Sequence, residues 1–136
     1  MEKEKLVELA CLASKKAYVP YSAFQVGASL LTKSGKVYTG CNIENASYGL
    51  TNCAERTCMF TAYADGVKKE DIVAFCVYSK KESLVSPCGA CRQVMMELLP
   101  SDCKIYMAYG KDYNIIETSL KELLPFSFTS EDLNNV

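Results

Sequence analysis

The chain contains no histidine, and that one gap narrows its chemistry more than any other feature of the composition. Histidine is the side chain that titrates nearest neutral pH, and it is the commonest metal ligand. Proton transfer near pH 7 must then come from a tuned carboxylate, a thiol, a lysine or a metal-bound water. A basic excess is missing too: 15 Lys and Arg face 16 Asp and Glu, for a net charge of −1. A protein that lives on nucleic-acid phosphates needs a basic face, so this balance argues against such a partner. No apolar run reaches the roughly eighteen residues that span a membrane. The N-terminal MEKEKLVELACLASKKA alternates charged and apolar residues, which reads as mature protein rather than a secretory leader. The expected compartment is the cytoplasm, where thiols stay reduced. No repeat, linker or low-complexity segment divides the chain, and a single domain over residues 1–136 is expected.

What is present in quantity is cysteine, 8 residues in a chain of 136. In a reducing compartment they need not pair, and their spacing must decide their role. Leu6, Leu9, Ala10, Ala13 and Ala17 predict an amphipathic helix from Lys3 to Tyr18. Phe24 to Thr32 and Lys36 to Cys41 read as strands joined by a turn at Lys33-Ser34-Gly35. A polar loop follows, then a helix from Cys53 to a stop at Gly66. Asp71 to Tyr78 is a buried strand by its continuous apolar character, and Ser79 to Ser86 a charged, solvated loop that includes Lys80 and Lys81. Pro87 opens a third helix that runs to Leu99. Cys103 to Ala108 and Asn114 to Thr118 are further strands, Ser119 to Leu124 a short helix, and the tail beyond Pro125 irregular. Helices alternating with short apolar strands imply an α/β fold, one mixed sheet with helices on both faces.

Cys88 and Cys91 form a Cys-x-x-Cys at a helix start, a setting that favours thiolates and serves either as a zinc half-site or as a redox pair. Cys53 also sits at a predicted helix start, with Asn52 before it as the expected cap. Two helices starting on the same side of the sheet would aim Cys53, Cys88 and Cys91 at one metal. Three protein ligands leave an open position, which is the catalytic pattern for zinc. Glu55 could then take a proton from a water there. Arg56 would offset the negative charge of three thiolates and donate to sulfur.

Cys53-Ala54-Glu55 followed by Pro87-Cys88-Gly89-Ala90-Cys91 is similar to the signature of the zinc nucleobase deaminases, with Cys in the His position. The resemblance extends along the chain. It includes Tyr21-Ser22-Ala23-Phe24-Gln25-Val26-Gly27-Ala28, then Gly40-Cys41-Asn42-Ile43-Glu44-Asn45-Ala46, then Cys53-Ala54-Glu55-Arg56-Thr57. Ser86 to Gln93, Leu123-Leu124-Pro125 and Glu131-Asp132-Leu133 complete it. In these blocks the chain resembles the small cytidine deaminases of the free-nucleoside type. The resemblance implies a three-layer α/β/α sandwich around a mixed five-stranded sheet. It implies one Zn2+ per chain on Cys53, Cys88 and Cys91, and Glu55 as the proton shuttle in hydrolysis of cytidine and deoxycytidine to the uridines and ammonia, within pyrimidine salvage. Phe24 then packs on the pyrimidine, Asn42 and Glu44 bind the ribose hydroxyls, and the backbone of Ala54 meets the base carbonyl region. Such enzymes are homotetramers, and Ala46, Tyr48 and Phe128 would reach a neighbouring subunit's site.

Plainer readings stand beside these. The three cysteines suit a structural zinc site, Glu55 a solvated helix carboxylate, and Arg56 an ion pair with Glu55 or Asp65. Phe24 and Tyr48 suit core packing, and Asn42 and Glu44 turn chemistry. Cys11, Cys41, Cys58, Cys76 and Cys103 fall in predicted helices and strands and are read as small hydrophobes. The alternative activity is deamination of another cytosine compound such as blasticidin S, whose deaminase has similar motifs.

Overall fold

The computed structural model describes residues 1–134; residues 135 and 136 lie outside the described part of the chain. The helices are α1 (Lys3–Ser14), α2 (Ala54–Ala64), α3 (Gly89–Leu98), α4 (Leu120–Leu123) and α5 (Ser130–Asn134). The strands are β1 (Val26–Thr32), β2 (Val37–Cys41), β3 (Ile72–Ser79), β4 (Lys104–Tyr109) and β5 (Asn114–Thr118). They form one five-stranded sheet in the order β2-β1-β3-β4-β5. The β3–β4 pair is parallel and the other pairs are antiparallel, so the sheet is mixed.

Successive side chains of a strand point to opposite faces, and the burial pattern follows that alternation. Phe75 and Val77 of β3 face a core with Ile105 and Met107 of β4, Cys58 and Met59 of α2, and Met95 of α3. Ala74, Cys76 and Tyr78 face the other side, where Leu6, Val7 and Ala10 of α1 cover them. Burying a large apolar side chain of this kind is worth roughly 1.5–3 kcal/mol. Helices therefore cover both faces, the three-layer arrangement expected. Gly40 lets α2 approach the sheet closely. A β-carbon there would lie 2.8 Å from the Cα of Cys58 and 2.9 Å from the carbonyl oxygen of Ala54.

This topology places the chemistry. Strands β2 and β3 both run antiparallel to β1, so Cys41 and Ser79 end at the same sheet edge, across from Gly27 and Val26. Helix α2 returns from that edge to the start of β3, and α3 leaves it for β4. The N-termini of both helices therefore sit beside the carboxyl end of β3.

Three expectations need correction. Helix α1 ends at Ser14 rather than Tyr18, because the Tyr18 N–H donates to Asn42 O at 3.0 Å and its carbonyl accepts from Glu44 N. Asn52 does not cap α2. Its backbone exchanges hydrogen bonds with Ile43, its side chain donates to Thr57, and Cys53 occupies the cap position. The tail beyond Pro125 is not wholly irregular: Ser130–Asn134 forms α5, with Thr129 N donating to the Asp132 carboxylate. Among the described residues no helix is long and apolar enough to cross a membrane.

Candidate active site

Cys53 is the cap residue of α2, Cys88 the cap residue of α3, and Cys91 lies in the first turn of α3. Their sulfurs all lie within 4.8 Å of one another, and Cys53 Sγ and Cys88 Sγ are 3.9 Å apart. The Cys91 N–H donates to Cys88 Sγ at 3.5 Å. A helix start leaves such N–H groups without intrahelical acceptors, so it stabilises thiolates. Arg56 Nη2 donates to Cys53 Sγ at 3.4 Å. Among the described residues Arg56 forms no ion pair with Glu55 or Asp65, and Asp65 is taken by Lys36 and Tyr38.

Hydrogen bonding with Cys91, and after it the Arg56 guanidinium, bring the Cys53 thiol down to about 5 against the cost of burial. Cys91 moves the opposite way, raised first by that hydrogen bond to Cys53 and then by burial. The Cys53 sulfur thus favours the thiolate form and the Cys91 sulfur the thiol form. The five remaining cysteines are free, and Cys58, Cys76 and Cys103 are buried. Burial pushes Cys76 and Cys103 up to about 12, which fits their reading as small hydrophobes.

Glu55 is 5% exposed and lies on the first turn of α2. Burial raises its carboxyl to about 7, and the neighbouring Cys53 charge pushes the same way. It shares a cavity of about 180 Å³ with Cys53, Cys88, Ala54, Phe24 and Asn42. Ala54 opens α2, so its N–H has no intrahelical acceptor, and the residue lines this space. Asn42 is tied into the sheet edge, with Oδ1 accepting from Val26 N at 2.9 Å and Nδ2 donating to Phe24 O at 2.8 Å. A primary amide has two N–H groups, so one remains for a ligand.

Glu44 lines an adjoining cavity with Tyr21, Ser22 and Tyr48, and Thr51 borders both cavities. Its carboxylate accepts from Tyr21 N, Ser22 N and the Ser22 hydroxyl, and these bonds, the hydroxyl first, hold its pKa below the ordinary range. Ala46 is exposed, and Tyr48 is 75% exposed in a short 3-10 turn, edge-on to Tyr21. Phe128 is 57% exposed just before α5. None of these three lines the cavity that holds Glu55 within this protomer.

Sequence reasoning missed several lining residues. Thr51, Val26, Val77, Ser79, Val85 and Ser86 complete the cavity wall. Lys81 was expected in a solvated loop. It is exposed, but its ammonium lies 4.6 Å from the centre of the Phe24 ring, a cation–π contact. Arg92 belonged to a recognised block without a role, and it makes two hydrogen bonds to the loop before Cys88 and a third to Leu123 O.

Residues 1–107 match the family described as the cytidine and deoxycytidylate deaminase zinc-binding region. The chain belongs to that deaminase family. A cytidine deaminase of Halalkalibacterium halodurans is 53% identical over 135 residues, covering 99% of this chain and all of the relative. The crystal structure of a cytidine deaminase from Burkholderia pseudomallei superimposes with a TM-score of 0.89 at 46% identity, covering 94% of this chain and 100% of that one. A blasticidin-S deaminase of Bacillus cereus is more distant, 28% identical over 131 residues, 90% of this chain and 91% of the relative. The deaminase family's zinc fits the donors present. Three convergent soft thiols suit that ion, and a guanidinium beside them offsets their excess charge. Cys53, Cys88 and Cys91 could hold it, and Cys53 and Cys88 line the cavity.

Proposed function

We propose that this chain is a hydrolytic cytidine deaminase that converts cytidine and deoxycytidine to the uridines with release of ammonia. The observation that carries the reading is a cluster of three thiols, two of which, Cys53 and Cys88, share with the buried Glu55 carboxyl a cavity walled by Phe24 and Asn42. A zinc ion on Cys53, Cys88 and Cys91 supplies Lewis acidity that activates a water near neutral pH. The protein's own groups do the rest. Glu55 takes the water's proton and passes it to N3 as the hydroxide adds to C4, then moves the added hydroxyl's proton to the 4-amino group, so that the C4–N bond breaks, ammonia leaves and the C4 carbonyl forms. Its seclusion from solvent keeps the proton within reach of the substrate. Phe24 holds the ring by its face, and the Ala54 N–H meets the base carbonyl. Asn42 and Glu44 receive the ribose hydroxyls. A carboxylate there repels phosphate, which favours a free nucleoside over a nucleotide or polynucleotide.

In this reading residues 1–136 are one catalytic domain that works in the cytoplasm in pyrimidine salvage, as a homotetramer. Ala46, Tyr48 and Phe128 complete a neighbouring subunit's site. Their exposure in the protomer supports that assignment.

An ultraviolet time course with cytidine, cytosine and blasticidin S, alongside metal analysis, tests the proposal. The expected result is rapid loss of cytidine with ammonia release and about one zinc per chain. Turnover of blasticidin S without cytidine would move the assignment to that substrate. Zinc without turnover of any would make the cluster structural.

A further inference from the structure

Two consecutive residues of α3, Arg92 and Gln93, carry bonds that the proposed chemistry does not use. Arg92 Nε donates to Pro87 O at 2.7 Å and Nη2 to Ser86 Oγ at 2.9 Å. These acceptors immediately precede Cys88, so the guanidinium fixes the loop that presents a metal-ligating thiol. Its remaining arm, Nη1, donates to Leu123 O at 2.8 Å, at the end of α4. Gln93 Nε2 donates to Phe128 O at 2.9 Å. The segment between Leu123 and Phe128 is thus tied at both ends to the helix that carries Cys91. Between the ties Pro125 and Phe126 are exposed. Phe126 has φ 54°, an unfavourable value for a non-glycine residue, and its side chain is fully exposed.

We infer that Arg92 and Gln93 are positioning residues that hold the Leu124–Phe128 arm in fixed relation to the thiol cluster, so that Phe128 is presented to a neighbouring subunit. The inference rests on the reading that Phe128 acts in a neighbour's site. Backbone acceptors make the device independent of the side chains along the arm. The aromatic is aimed by where its carbonyl is held. The planar fork of Arg92 suits this task, because it reaches two segments at once with fixed geometry, which a lysine cannot do.

The test is a double-mutant cycle on KM for cytidine with the zinc-loaded enzyme, using Gln93→Ala, Phe128→Ala and the pair. Gln93→Ala removes one neutral hydrogen bond and is expected to raise KM about 5-fold, with kcat, zinc content and melting temperature near wild type. Phe128→Ala is expected to raise KM as well. The pair is expected to be no worse than Phe128→Ala alone, since an anchor has nothing to present once the aromatic is gone. Arg92→Lys supplies a second variant, expected to raise KM and to speed zinc loss to a chelator, because it loosens the arm and the Cys88 loop together. A rise in KM for Phe128→Ala with none for Gln93→Ala overturns the inference and leaves the neighbour-site reading standing. Additive effects in the pair overturn it too. An unchanged KM for Phe128→Ala overturns the neighbour-site reading and the inference with it.

Discussion

Arg56 turns toward sulfur and away from its adjacent carboxylate: Nη2 donates to Cys53 Sγ at 3.4 Å, and Glu55 beside it stays buried. Three thiolates on one divalent cation carry excess negative charge, and the guanidinium offsets it where it is densest. Arg56→Gln keeps a donor of similar reach and removes the charge. Zinc affinity is expected to fall about 10- to 100-fold, the usual cost of losing a group that supports a metal ligand. Competition against a chromophoric chelator measures it. Unchanged affinity would return Arg56 to a surface role.

Glu55→Gln preserves the shape of the side chain and removes its capacity to move a proton. Turnover is expected to fall by about 10²- to 10⁴-fold, with zinc content and fold retained. The cavity is otherwise intact, so nucleoside binding is expected to survive, and equilibrium binding of the product uridine to the variant checks it. Near-full activity would remove Glu55 from the mechanism.

The pairing of Cys53 with Cys91 sets how many protons zinc must displace. Cys53 is brought down to about 5 by Cys91 and Arg56, so it is already ionised at neutral pH, whereas Cys91 is raised and still holds its proton. Metal uptake deprotonates its ligands, so affinity falls as pH falls. In the Glu55→Gln background, where the carboxyl cannot contribute, zinc loading at about pH 6, below the range near 7 in which zinc-bound water ionises, is expected to release no more than about two protons. Release of three, read with a pH indicator in weak buffer, would show that Cys53 is an ordinary thiol.

The thiol cluster was legible in the sequence because its cues are local. Cys88 and Cys91 are one helical turn apart, and Cys53 precedes Glu55 at another helix start. The wall of the cavity was not. Val26, Val77 and Ser79 meet only because β1 and β3 are neighbours in register, and Thr51 joins them through a loop tied back by the Asn52–Ile43 exchange. Lys81 looked like solvated charge because nothing near it in sequence is aromatic; Phe24 arrives from across the sheet edge. Helix α1 was overextended because Ala17 keeps the helical period, while the bonds that claim Tyr18 come from Asn42 and Glu44. The cue for α5 was a short one, Thr129 and Asp132 bonding at the head of a helix of only five residues.

Glu44 is bonded in its ionised form, and the Ser22 hydroxyl is the largest cause of its lowered pKa. A depressed folded-state value means the contribution is complete above the ordinary value of 4.5 and is lost as pH falls through the lowered one. Glu44→Gln replaces an acceptor of three donors with an amide of weaker accepting power. KM for cytidine is expected to rise about 10-fold or more, with kcat less affected. The ratio of variant to wild-type KM is expected to stay flat between about pH 6 and 8. A ratio that collapses within that range would mean the carboxylate titrates there and is not held by these donors.

Gly40 joins fold to chemistry at one backbone atom. It lies on β2 beneath the first turns of α2, where an added β-carbon would press on the Cys58 backbone and on the carbonyl of Ala54. Both are main-chain atoms of a packed helix and cannot swing aside. Gly40→Ala must therefore lift the start of α2, which carries Cys53, Ala54 and Glu55, away from the sheet. Overpacking of this kind costs about 1–3 kcal/mol, to be read as a lower urea midpoint with an unchanged slope. Because the displaced end holds one of three zinc ligands, zinc retention is expected to weaken in the same variant. Alanine at Gly49, where no heavy atom lies within 4 Å of the added carbon, is the control and is expected to leave both stability and zinc unchanged. Equal effects at the two positions would show that loss of glycine itself, rather than pressure on α2, is responsible.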